Sequence, residues 1–531
     1  MTSQAEEQSP TVTVPPSATE PKIPGQGAYG FDRNRIARAG ALNLVGAAVS
    51  VVATFGLTIV VTRNTTQQVA GAYFILTSVF LILQAAKLGA DSGAVYMLAQ
   101  HRALGQTNRI RAAMRVAYVP ISVVSVAFTI AIWLMAPWLS RELLSTDSSA
   151  AVTSLRIFAL CLPFSVVGLV AQSGARGLGT TVPYVAMERV VRPGLQLAGA
   201  AVVVVTLGAA SWTGLAGSFS LPYILTGVIS VPWLIALRKR AERRAGQAPL
   251  PTSRDDWTGF WKFSGPRAGT GLLTLGLQRL DVVIIGILRG TKDAAYYTAA
   301  TRFLVVGQTI SNALSVAVQH RFSALMARGE RGDANKLYQM TTTWLILLTW
   351  PFYLSWAVLA HRLMALFGHA YQATFNVGII LALAMLVGTA CGMVSMVLDM
   401  SGNTGVTLAQ TALALTADIV IDLLLVPKYG PLGAAIGWAT AIGLNNLLPL
   451  ATLYRRYRLF PIGRGGLIAM GASVACFVVI PFATRLAFGD TVVTAVGAFA
   501  VGCIAYAVLV WRARTALELA GLRALRRRGT K

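Results

Sequence analysis

Apolar runs of roughly 20 residues, broken by short polar stretches, recur from about residue 40 to residue 511. A helix of that length crosses the hydrocarbon core of a bilayer. The runs are continuous rather than alternating, which excludes a transmembrane β-barrel. The pattern predicts fourteen spans, at about 40–61, 69–88, 116–137, 154–174, 182–208, 213–237, 263–288, 294–318, 340–360, 374–399, 404–426, 431–453, 465–485 and 491–511. The expected fold class is all-α: a polytopic membrane protein.

The organisation follows from what lies between the runs. Residues 1–30 are polar, carry four prolines between Pro15 and Pro24, and read as a disordered cytoplasmic tail. No cleavable signal peptide is expected, because the first apolar run is too long. The longest basic stretch, RKRAERRAGQAPLPTSRDDW, opens a linker at 238–262 between helices one to six (31–237) and helices seven to twelve (263–458). Helices thirteen and fourteen (459–511) and a basic tail (512–531), read as a surface helix at the headgroups, complete the chain. A faint repeat relates the halves. Ala72-Tyr73 and Ala295-Tyr296 are 223 residues apart, as are Gly179 and Gly402. Each half holds six helices and so keeps the same orientation. The expectation is two six-helix lobes around a central cavity, plus two extra C-terminal helices.

Charge sharpens this picture. The chain of 531 residues is 55% hydrophobic and 12% charged, about half the charged share of a soluble protein. With both termini placed in the cytoplasm, the 45 Lys and Arg divide as 32 cytoplasmic, 7 outer and 6 within spans. That bias is the positive-inside rule, and a missed helix would scramble it. The net charge of +25 therefore reads as topology and contact with anionic lipid. No nucleic-acid fold pattern accompanies it, so no nucleic-acid partner is expected. Cys161, Cys391, Cys476 and Cys503 fall within spans without CxxC spacing and read as small buried apolar residues. The four histidines form no ligand cluster, so no metal and no cofactor is expected.

A charge at the centre of a membrane helix costs roughly 2.5–3.5 kcal/mol on insertion scales. The charged positions inside spans are therefore the candidate chemistry. Helix seven contains QRLDVVIIGILRG, with Arg279 and Asp281 two positions apart and so on different faces. Arg302 lies in the next apolar helix. Helix five contains TTVPYVAMERVVRPGLQLAGA. There Glu188 and Arg192 sit at i,i+4 and can pair, Arg189 lacks an obvious local partner, and Pro193 should bend the helix. Helix eleven carries Asp418 and Asp422, again at i,i+4. Two carboxylates on one buried face repel, so a proton or a cation should lie between them, or else they bond to neighbouring helices.

RLDVVIIGILRGTKDAAYYTAATRF resembles the hallmark of the polysaccharide-transport (oligosaccharide flippase) family, with its acidic residue in helix seven, short turn and small residues around tyrosine. LLVPKYGPLGAAIGWA and GAYFILTSVFLILQAAKLGADSGAVY resemble that family's helix eleven–twelve turn and its helix two. The family belongs to the multidrug/oligosaccharidyl-lipid/polysaccharide exporter superfamily, and the resemblance covers residues 36–511. The resemblance implies a non-enzymatic flippase in the bacterial plasma membrane. It would move a polyprenyl-diphosphate-linked oligosaccharide from the inner to the outer leaflet for cell-surface polysaccharide or cell-wall synthesis. Asp281 takes the helix-seven acidic position. Lipid II flippases of the superfamily carry a more basic first helix than this one.

No GxxxxGK[ST] phosphate loop is present, so ATP hydrolysis is not expected. No bond changes; a diphosphate must cross a low-dielectric core, and burying it unpaired is prohibitive. Arg279, Arg302, Arg189 and Arg192 are the expected diphosphate-binding residues, because guanidinium pairs phosphate bidentately. Asp281, Asp418, Asp422 and Glu188 are the expected residues for charge balance or for coupling to a proton or sodium ion. The expected partners are a lipid-linked glycan, membrane lipids and a glycan polymerase or glycosyltransferase. Two alternatives stand beside this reading: a cation-coupled multidrug exporter, and a non-transporting scaffold of a glycan-synthesis complex.

Overall fold

The computed structural model describes residues 33–208, 211–246, 248–489 and 491–517. The stretch 1–30 and most of the basic tail lie outside the described residues. Among the described residues, thirteen helices are long and apolar enough to cross a membrane, from Leu42–Asn64 to Val492–Arg512, and they follow the predicted order. The predicted eighth span is the exception. It comes as two helices, Thr291–Thr301 and Leu304–Ala327, parted at Arg302 and Phe303. Two further departures bear on function. The predicted loop after span two is helical over Ala90–Ala103. The proline of span five is preceded by a π-helical turn, Val185–Val191, and the α-helix resumes at Arg192. Pro193 has no amide to donate, so the turn before it widens rather than simply bending.

Spans one and three to six pack chiefly among themselves, with spans four and six in close contact. Spans nine, ten, eleven and twelve form the second group. Span seven touches both, and spans two and eight meet between them. The contact is close because the meeting residues are small. A side chain at Gly71 would run into the backbone of Thr291, and Ala72, Ala294, Ala295 and Ala299 are all buried. The repeat noticed in the chain, Ala72-Tyr73 and Ala295-Tyr296, thus lies on helices that face each other across the seam. Gly179 and Gly402 share a left-handed backbone, with φ of +89° and +82°, which glycine adopts at no steric cost.

The two halves of the chain are joined at both ends of the bundle. At the basic end, Tyr96 stacks on Phe263 with ring centres 4.1 Å apart. Beside it Arg109 pairs with Asp256 at 3.4 Å, the residue that also caps span seven through Ser253. At the charge-poor end, Arg63 of span one donates to the carbonyls of Leu366 at 2.8 Å and Ala365 at 3.3 Å. Cys161, Cys391 and Cys476 are buried as expected, whereas Cys503 lies exposed on the flank of the last span. A small thiol on a lipid-facing flank needs no polar partner.

Candidate functional site

Span seven, Arg254–Arg289, positions both candidate clusters. Its first half is held by the capping box at Ser253. Its last turn is held by Arg289, which reaches Asp293 at 3.1 Å across the Gly290 turn and the Pro427 carbonyl at 3.4 Å. Along this fixed rod Arg279 and Asp281 are separated by about 200° of helical rotation. They end in different surroundings.

Arg279 is half-buried and faces the seam. It acts electrostatically on Arg302 and on the phenol of Tyr223 in span six. Arg302 occupies the break between the two pieces of span eight. Its guanidinium lies over the ring of Phe74 at 5.4 Å, and it feels the hydroxyl of Tyr73. Arg192 completes the group from span five. It donates to Tyr223 Oη at 3.1 Å, to Gln196 Oε1 at 3.2 Å and to Glu188 Oε1 at 2.6 Å. Three arginines from both halves of the chain therefore gather around Tyr73 and Tyr223. One carboxylate, Glu188, pairs with Arg192. Arg192 Nε, Arg302 Nε and Tyr73 Oη are buried without a hydrogen-bond partner. Unused donors next to uncompensated positive charge suit an anion.

Arg189 does not join this group. It stacks on Tyr184 at 5.6 Å, a ring it shares with Arg176 at 4.6 Å. The widened π-turn separates it from Arg192 although the two are three residues apart. Arg176 also borders a cavity of about 710 Å³ at the basic end, with Tyr96, Phe263 and Arg267. Along the chain Tyr73 stood out only as part of the repeat, and Tyr223 and Arg176 not at all. The first lies in the GAYF stretch of span two, which offered a signal. Tyr223 and Arg176 offered none.

Asp281 turns into the second half of the chain, where it is 3% exposed, beside Asp418 at 1% and Asp422 at 0%. Oxygen atoms of the three carboxylates lie within 4.8 Å of one another, the spacing of a cation site. Tyr297 of span eight donates a hydrogen bond to Asp281. Asp281 Oδ1, Asp418 Oδ1 and both oxygens of Asp422 are buried without a hydrogen-bond partner. Gly437 of span twelve lets the helices close on this point, since a side chain there would meet the carboxylates of Asp422 and Asp418. Three buried carboxylates this close cannot all be ionised without a proton or a cation among them. The i,i+4 pair was legible in the chain; its union with Asp281 was not.

A family model for polysaccharide biosynthesis proteins matches residues 71–376. A Haloferax volcanii protein named "Probable low-salt glycan biosynthesis flippase Agl15" is 22% identical over 170 residues. The match takes in 32% of this chain and spans 36% of that relative's length. Among solved structures, the lipid II flippase MurJ in an inward closed conformation superimposes with a TM-score of 0.69 at 15% identity. That likeness covers 90% of this chain and all of the other. An inward-facing multidrug resistance MATE family transporter of the MOP superfamily gives a TM-score of 0.64 at 14% identity, covering 79% and 98%. At such identities the likeness is one of fold.

Proposed function

Because the chain belongs to the polysaccharide biosynthesis protein family, we propose that it is a flippase for a polyprenyl-diphosphate-linked oligosaccharide. It carries the glycan head from the inner to the outer leaflet of a bacterial plasma membrane, with both termini in the cytoplasm. The observation that supports this most is the grouping of Arg192, Arg279 and Arg302 around Tyr73 and Tyr223 at the seam. A diphosphate entering there finds guanidinium donors on both halves, and the cost of leaving water is offset by charge-assisted bonds. The tyrosine hydroxyls bond either phosphate or sugar oxygens. Glu188 keeps Arg192 in place and partly neutralised until the substrate arrives.

Movement follows from the closures at the two ends. The pair Arg109–Asp256 and the Tyr96–Phe263 stack hold the basic end, and the Arg63–carbonyl bonds hold the other. Each is a small polar or aromatic contact that breaks and reforms at modest cost. Rocking one six-helix lobe on the other opens the ends in turn. Asp281, Asp418 and Asp422 couple that motion to a proton or a sodium ion, because filling the site removes the repulsion that otherwise splays spans seven and eleven. The glycan then passes to a polymerase or glycosyltransferase outside.

One observation favours a second reading. The same three carboxylates suit a cation-coupled drug exporter, whose cavity would take cationic substrates. Three arginines in the seam oppose such substrates. The deciding experiment reconstitutes the full chain in liposomes. It measures translocation of a polyprenyl-diphosphate oligosaccharide by access of an external glycosidase, for the intact protein and for Arg279→Ala and Arg302→Ala. Transport should fall about 100-fold in each variant, the scale of losing a buried charge-assisted contact. Unimpaired flipping in both would defeat the assignment. Drug efflux without flipping would favour the exporter, and neither activity would leave the scaffold role.

A further inference from the structure

The positive-inside bias leaves only 7 of the 45 Lys and Arg to the outer end, so where those few are grouped carries information. Two of them, Arg63 at the end of span one and Lys292 at the start of span eight, line one cavity of about 760 Å³. Each half of the chain therefore supplies one cation. Thr66, Gln67, Gln68 and His369 add hydroxyl, amide and imidazole groups, and none of the lining residues is acidic. Span two begins at Gln67 and the first piece of span eight at Thr291. Two helix N-termini, with their positive dipole ends, thus lie beside the same space. The nearby acid Asp293 is held by Arg289 at 3.1 Å. Arg63 meanwhile spends its donors on neutral carbonyls of the other half, Leu366 and Ala365. An anionic oxygen is a stronger acceptor than a carbonyl.

We propose that this outer cavity is an exit station. It binds the phosphate or carboxylate groups of the glycan head after passage and draws the Arg63 guanidinium off the 365–366 carbonyls, which loosens the outer closure. The direction of travel rests on the flippase reading above; the affinity for an anion does not.

The test uses the full chain in liposomes with the charge-poor end outside. The carrier is Gln68→Cys in a Cys503→Ala background, labelled with a membrane-impermeant maleimide, and inorganic diphosphate is the external probe. Diphosphate should slow labelling several-fold. Protection should vanish in Lys292→Gln and in Arg63→Gln, and persist in Arg279→Ala, whose cation lies deeper in the seam. Lys292 is exposed, so its replacement leaves the packed helices untouched. Absence of protection, or protection that survives Lys292→Gln and is lost in Arg279→Ala, overturns the proposal. Protection with the expected pattern in a protein that flips nothing would uphold the anion site and sink the flippase reading.

Discussion

Arg279 and Asp281 stand two residues apart on one helix, yet they belong to sites of opposite character. Arg279 faces the seam between the two halves, and it is half-buried among other cations and phenols. Asp281 faces inward, packed against span eleven with two more carboxylates and the hydroxyl of Tyr297. The difference fits the separate roles proposed for the two clusters. A group that handles a large anion needs room and a surface that opens. A group that handles a proton or a small cation needs burial, a fixed geometry and no room at all. Both clusters are unbalanced in charge, which is costly in a membrane unless a group of the opposite sign or a proton offsets it.

The sharpest way to break this comparison is to exchange the roles. Arg279→Ala should reduce diphosphate binding by about 100-fold, as measured by competition with a labelled polyprenyl diphosphate, while leaving the response to ions unchanged. Asp281→Asn should do the reverse, leaving binding within about threefold and removing any dependence of transport on a sodium or pH gradient. If both variants lose binding equally, the clusters are one site.

A smaller effect separates the members of the acidic group. Asp422→Asn and Asp418→Asn should each slow gradient-driven transport by about tenfold, the scale of one lost buried contact, and flatten its ion dependence. Gly437→Ala should mimic them without touching a charge, because a methyl there pushes against the same carboxylates. Normal ion dependence in Gly437→Ala would argue that the spacing of the three acids is unimportant.

Glu188→Gln tests the partner of Arg192. Removing the negative charge frees a guanidinium that the ion pair now occupies at 2.6 Å. Diphosphate affinity should rise by a few-fold and turnover should fall, since release becomes harder; unchanged affinity would place Arg192 outside the binding group. The smallest effect concerns the basic-end closure. Arg109 is partly exposed, and such a pair is worth about 0.2–1 kcal/mol. Arg109→Gln should therefore change the accessibility of an inner-face reporter cysteine by no more than about fivefold.

How much of this was legible in the chain depended on whether the cause was local. Span existence and order came through because burial in lipid acts on each 20-residue run by itself. The Glu188–Arg192 pair came through because i,i+4 contacts lie within one helix. The bend at Pro193 was visible, while its π-turn form, which sets Val185 and Arg189 against Gly46 of span one, was not. The break at Arg302 was hidden, because its flanking residues read as one apolar helix.

The sequence by itself determined a multi-pass helical membrane protein, its candidate charges and the faces they occupy on their own helices. Only the tertiary structure decided which of those charges meet. It joined Arg192, Arg279 and Arg302 across the two halves, left Arg189 stacked on Tyr184, and closed Asp281 onto Asp418 and Asp422. The physical reason is that a helix's own periodicity sets the direction of a side chain, whereas its partner is set by how distant helices pack, through small residues such as Gly71 and Gly437.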